Sequence, residues 1–167
     1  MRVTRRPGAA FVLTLALGLA ALLGEGVWHS TAWGQEELFV SNLNNSITVY
    51  SRTASGDTAP IRTLSGAATG LSGPQALAVD TVNNELAVVN EGPFPFFFPL
   101  SSITVYTRTV SGNTAPIRTL SGSATALASP FGVVVDTVNN ELVVANLSDG
   151  ITVYTRTASG NTPPIRT

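Results

Sequence analysis

The amino-acid sequence predicts an all-β chain built from one repeated, four-stranded antiparallel unit. Three observations carry that expectation. Ile-Thr-Val-Tyr recurs at Ile47, Ile103 and Ile151, Pro-Ile-Arg-Thr at Pro60, Pro116 and Pro164, and Val-Asp-Thr-Val-Asn-Asn-Glu-Leu at Val79 and Val135. The first two series are spaced by 56 and then 48 residues, so the unit is 48 residues long and one copy carries eight extra residues after Asn90. A fixed period of this size marks a repeat architecture, and four short apolar runs parted by turn residues are the content of one β-propeller blade.

The runs, a to d, follow in order. Run a (76–80 and 132–136) is continuously apolar, as in Val133-Val134-Val135, which predicts a strand buried on both faces at the ring centre. Run b (38–42, 86–90 and 142–146) follows across Thr-Val-Asn-Asn-Glu in the second and third units, where Asn tolerates left-handed backbone and closes a tight hairpin. Run c sets Ile47 and Val49 on one side and Thr48, Tyr50 and Arg52 on the other, the period of a strand. Gly56-Asp57, Gly112-Asn113 and Gly160-Asn161 then supply positive φ for the turn into run d. Run d opens at Pro60, Pro116 or Pro164, and a residue without an N–H belongs at the outer edge of a sheet.

The predicted blade units are 35–73, 74–129 and 130–167, with three of each run except a, of which there are two. That makes about 2.75 blades, the first lacking its inner strand. Closed propellers have roughly four to eight blades. The expectation is therefore a partial propeller, a fragment of a larger closed ring in which a later run a pairs with Leu38–Val40. The rival expectation is a self-associating array whose open edges invite aggregation.

Residues 1–34 read as a secretory signal peptide. Arg2, Arg5 and Arg6 precede an uncharged apolar run from Ala9 to Gly24, and Ala32 and Gly34 suit the small-residue positions of a cleavage site. That run of 16 residues is shorter than the roughly 20 a membrane span needs, so a mature chain beginning near Gln35, secreted or periplasmic, is expected. Residues 35–167 hold six Arg (nine in all, less those three) and nine acidic residues (ten, less Glu25), a net charge of −3, with no Lys, Cys, His or Trp. Nucleic acid is an unsuitable partner for such a chain. Triads built on His or Cys and imidazole or thiolate metal sites are excluded from it.

Pro130-Phe131-Gly132-Val133-Val134-Val135-Asp136 and the following Leu142-Val143-Val144-Ala145-Asn146 resemble the bacterial NHL-type propeller repeats, and the resemblance covers nearly all of residues 35–167. It implies architecture. Such propellers serve as binding platforms, lyases and lactonases alike, so function is argued from sites.

In a repeat the shared residues serve the fold, and function is sought where copies differ. Asp80 and Asp136 end run a before a turn, where Asp caps main-chain amides. Asn42, Asn90 and Asn146, the three Tyr and the six Arg are likewise read as structural. The insertion 92–100 is not repeated, and it places Phe94, Phe96, Phe97, Phe98 and Leu100 in a Pro-rich loop between runs b and c. These five are the candidate ligand or partner contacts, because clustered apolar side chains mark recognition surfaces; the alternative is that they fold over a neighbouring blade. Glu91 and Asp149, with Asn90 and Asn146, are a sparse candidate cation site. Calcium is the cofactor their oxygens suit, although it takes six to eight ligands. No nucleophile with a base is visible. The favoured function is a non-catalytic, exported binding module for a protein, glycan or surface. The alternative is a carboxylate- and divalent-cation-dependent hydrolase or lyase, lactonase-like, completed by further blades.

Overall fold

The computed structural model describes residues 31–33, 36–92, 101–148 and 150–167. No helix among them is long and apolar enough to cross a membrane. They form three antiparallel sheets, each one blade, in the a-to-d order. Blade 1 comprises β1 (Thr31–Trp33), β2 (Glu37–Asn42), β3 (Ser46–Ser51) and β4 (Arg62–Ser65). Blade 2 comprises β5 (Pro74–Asp80), β6 (Glu85–Asn90), β7 (Ser102–Thr107) and β8 (Arg118–Ser121). Blade 3 has β9 (Pro130–Asp136), β10 (Glu141–Asn146) and β11 (Gly150–Thr155). At its rim Val153 donates to Arg166 O (2.9 Å) and Ile165 to Val153 O (2.7 Å), where a fourth strand stands in the other blades.

The hairpins form where the residue types require. Asn84 and Asn140 take φ of 56° and 59° at the β5–β6 and β9–β10 turns, and Gly56, Gly112 and Gly160 take 65–66° after the third strand of each blade. Each d-to-a linker of blades 1 and 2 contains a single 3₁₀ turn, Ala67–Thr69 and Ser123–Thr125. In β5 and β9 the strand-opening proline sits at a bulge facing Asn90 or Asn146, a place where its missing N–H does no harm.

One expectation is corrected. The first blade does have an inner strand, and it comes from the segment assigned to the leader. Thr31, Ala32 and Trp33 pair antiparallel with Val40, Phe39 and Leu38, so the sheet is four-stranded. Spacing from the repeat hid this strand, since residues 31–33 share no sequence with β5 or β9 and lie three residues short of Glu37.

The core lies between the blades rather than within one. Phe39, Ile47, Val49 and Leu64 of blade 1 meet Leu77, Leu86, Val88, Tyr106 and Val110 of blade 2. The opposite face of blade 2 repeats the contact with blade 3: Ala76, Ala87, Val89, Ile103 and Leu120 meet Val133, Leu142, Val144, Tyr154 and Ala158. β5, β6 and β7 of blade 2 therefore have apolar residues on both faces, which is why β6 reads as the continuous run Leu-Ala-Val-Val. The outer faces of the array lack this cover. Ile151 of blade 3 is 57% exposed, whereas Ile103 and Ile47 at the same repeat position are fully buried. Phe131 and Val134 of β9 are exposed on blade 3 as well.

Candidate functional site

The repeated polar residues are used in locking one blade to the next. Tyr106 Oη donates to Thr69 O and Tyr154 Oη to Thr125 O, each at 2.5 Å and each reaching from the third strand of one blade to the 3₁₀ turn leaving the preceding blade. Burial pushes the Tyr106 phenol up to about 12 and raises that of Tyr154. Asn113 Oδ1 accepts from Ala68 N and Asn161 Oδ1 from Ala124 N, both at 2.8 Å. The receiving loops need glycine, because a Cβ on Gly66 or Gly122 would lie 2.4 Å from that oxygen. Alongside, Ser65 N donates to Gly112 O (3.0 Å) and Gly112 N to Thr63 O (2.7 Å), so the turn of blade 2 covers the outer edge of β4. The turn of blade 3 covers β8 in the same way.

The charged residues gather on the face holding the β5–β6 and β9–β10 turns, and they pair there. Arg62 forks onto Glu37, Arg118 onto Glu85 (2.7 and 2.5 Å) and Arg166 onto Glu141 (both 2.6 Å). Arg62's hydrogen bond, opposed by partial burial, holds the Glu37 carboxyl below the usual range. Two bridges cross between blades: Arg108 to Glu37 at 3.1 Å and Arg156 to Asp80 at 3.4 Å. Asp80 and Asp136 also cap their turns, each Oδ1 accepting two main-chain N–H groups at 2.9–3.0 Å. The hydrogen bonds from Asn139, main chain first, hold the Asp136 carboxyl below its ordinary value. The structural assignment of these residues agrees with the geometry.

The opposite face carries the turns after β2, β6 and β10 and the linkers entering β5 and β9. Asn90 Oδ1 accepts from Ser72 N (3.1 Å) while its Nδ2 donates to Thr104 Oγ1 (3.0 Å); Asn146 does the same with Ala128 N and Thr152 (3.0 Å each). Their amides are thus committed to holding linker and strands of their own blades. Glu91 takes a hydrogen bond from Gln75 Nε2 (2.6 Å), and Asp149 lies outside the described residues. Among the described residues no three of His, Cys, Asp and Glu are grouped as metal ligands.

The non-repeated insertion leaves this same face from a fixed base. Glu91 N donates to Gly73 O and Gly92 N to Ser72 O, both at 3.1 Å, and Ser101 Oγ donates to Glu91 O at 3.3 Å on the return. Phe94, Phe96, Phe97, Phe98 and Leu100 lie outside the described residues. Three further apolar side chains are exposed on this side of the array, Leu43 and Leu147 in the turns after β2 and β10 and Phe131 at the loop end of β9. Sequence reasoning passed over them. The signal was there, since Phe131 replaces Gln75 of the preceding unit and a leucine in a polar turn is unusual.

No family model matches the chain, and no curated protein does. Solved structures do. The WD40 β-propeller domain of Doa1 superposes with a TM-score of 0.52 at 14% identity, covering 81% of this chain and 38% of that one. The β-propeller domain of Cps50 (Swd1) from Myceliophteria thermophila gives 0.53 at 10% identity over 83% of this chain and 36% of that one. A chain of the mitotic checkpoint complex gives 0.53 at 15% identity, covering 78% and 36%. The chain thus spans little more than a third of these propellers' length. With three sheets packed face to face in the blade order, it is an all-β, partial β-propeller.

Proposed function

We propose that the chain is the binding part of an exported, NHL-type β-propeller that holds a protein, glycan or surface ligand on the face bearing the insertion 93–100. One observation carries this reading. The repeated Tyr, Asn and Arg side chains are largely engaged in interlocks and ion pairs, whereas the insertion is grafted onto the anchored base Glu91–Gly92 and Ser101 of a single blade. A rigid scaffold presenting one variable loop is the usual arrangement of a recognition site. Four Phe within five positions give that loop a large apolar area, and Leu43, Leu147 and Phe131 widen the surface. Export is supported by the basic and apolar N-terminal pattern and by the small residues Ala32 and Gly34.

Deleting 93–100 leaves Glu91, Gly92 and Ser101 between strands, the same length as Leu43–Asn45 in blade 1, so the variant should fold. Co-sedimentation of the purified chain with envelope fragments and secreted polymers of its producing host tests the reading. Binding should fall at least about tenfold in the deletion variant, a change of 1.4 kcal/mol. Equal binding by both chains would refute it.

A further inference from the structure

The inner strands β5 and β9 each open with a bulge. Pro74 pairs with Asn90 and Ala76 with Val89, which leaves Gln75 out of the ladder, and Phe131 is passed over in the same way between Pro130 and Gly132. A bulge re-aims the side chain it carries and is common beside binding sites. These two bulge residues share one repeat position yet differ in kind. Their neighbours differ in step with them: the residue after the Asn that ends run b is Glu91 in blade 2 and Leu147 in blade 3. Blade 2 thus presents a polar pair, in which Gln75 Nε2 donates to Glu91 at 2.6 Å. Blade 3 presents an apolar pair, Phe131 at 47% and Leu147 at 74% exposure. β5 and β9 lie side by side, so the two pairs are neighbours on the face that carries the insertion.

The hydrogen-bonding chemistry of this surface is one-sided. The main-chain N–H groups of Ser72, Gly73 and Ala128 donate to asparagine Oδ1 atoms, and those of Glu91, Gly92 and Leu147 to linker carbonyls. All six arginines of residues 35–167 form ion pairs at the other end of the blades. Glu91 is only partly buried, and among the described residues it has no ion pair. A ligand group that meets this carboxylate must therefore donate, and positive charge suits it. Ammonium and guanidinium groups donate and do not accept. Sugar hydroxyls also want donors, and an anionic lipid or polymer wants cations; this surface supplies neither.

We propose that Gln75, Glu91, Phe131 and Leu147 form a subsite for an extended protein segment, which places a lysine or arginine on Glu91 and a large apolar side chain against Phe131 and Leu147. The assignment rests on this face being the binding face, and it makes the ligand there a basic and apolar stretch of protein. Packed sheets stand about 10 Å apart and an extended chain advances about 3.3 Å per residue, so the two ligand side chains are about three positions apart. Gln75 is a positioning residue, holding the Glu91 carboxylate through its amide nitrogen.

The test uses the 167-residue chain and nonapeptides immobilised at high density: Ser-Gly-Lys-Ser-Gly-Phe-Ser-Gly-Ser, and counterparts with Glu for Lys or Ser for Phe. The chain should hold the Lys–Phe peptide at least about tenfold more tightly than the Glu–Phe peptide, with the difference shrinking as salt is raised. Glu91→Gln should erase that difference, and Phe131→Gln should erase the preference for Phe over Ser. Glu91→Gln keeps the shape of the side chain and Phe131→Gln installs the residue that blade 2 carries, so both variants should keep the fold, read by thermal unfolding. Equal retention of the Lys and Glu peptides, or a preference that survives Glu91→Gln, overturns the subsite. Retention of no peptide, by a chain whose co-sedimentation with host material still depends on 93–100, also overturns it, and leaves the binding reading intact with a glycan or lipid as ligand. Peptide selectivity that persists when deletion of 93–100 leaves co-sedimentation unchanged would uphold the subsite and refute the role given to the insertion.

Discussion

The tyrosine interlock can be tested with its own internal control. Tyr106 and Tyr50 occupy the same repeat position, but only Tyr106 has a preceding blade among the described residues to reach. Its Oη donates to the carbonyl of Thr69, and both residues are buried. In Tyr106→Phe the ring packing stays and the hydroxyl goes, leaving the Thr69 carbonyl without that donor in a site closed to water. A buried hydrogen bond contributes about 1 kcal/mol net, and stranding the acceptor raises the cost to roughly 1–3 kcal/mol. We expect a loss of about 2 kcal/mol, read in urea unfolding as a fall in midpoint of about 1 M with the slope unchanged. Tyr50 is only partly buried, at the open side of blade 1, so Tyr50→Phe should change stability by less than about 0.5 kcal/mol. Equal costs for the two substitutions, or a neutral Tyr106→Phe, would refute the interlock as the purpose of the repeated tyrosine.

Three further outcomes follow from the same geometry. Gly122→Ala places a Cβ 2.4 Å from Asn161 Oδ1 at a φ of 120° and should cost about 3 kcal/mol, whereas Gly56→Ala, at φ 66° in open space, should cost about 1 kcal/mol; thermal unfolding of the two variants checks the contrast. Glu85→Gln breaks the fork with Arg118, in which both side chains keep about 15% exposure, and should cost about 2–3 kcal/mol by chemical denaturation, the low end for a shielded pair. Alkaline pH should destabilise the chain. The Tyr106 phenol is raised from 10.0 to about 12 in the fold, so its contribution is complete below pH 10 and is lost as pH rises through 12; Tyr106→Phe should flatten that part of a stability profile.

The blade order and the roles of the repeated residues were legible from sequence, and the reason is physical. Strand runs with period 2, glycines at positive φ and prolines barred from ladder interiors constrain a blade locally. Asp80 and Asp136 were readable as caps for the same reason, since the two N–H groups each accepts lie two and three residues ahead. What sequence missed depends on contacts made at a distance. β1 shares no residues with the repeat, so only the structure pairs Thr31–Trp33 with β2. The Arg108–Glu37 bridge joins positions 71 residues apart, and nothing local announces it. Leu43 and Leu147 stand in polar turns just past run b, a signal that sequence reasoning passed over, and their exposure is seen in the fold. Asn90 and Asn146 were read as structural, and the distant partners of that role, a linker N–H and a threonine hydroxyl for each, are seen only in the fold.

The central claim is that this chain is an arc of blades whose end faces are themselves blade–blade interfaces. Size-exclusion chromatography with light scattering, coupled to intact mass measurement of the protein from its native host, tests it most directly. The account predicts a discrete particle with four or more blades, either one polypeptide longer than 167 residues or several copies in a closed ring, because Ile151 and Val134 occupy positions that are buried where a neighbour is present. A stable, monodisperse monomer of 167 residues or fewer would contradict it.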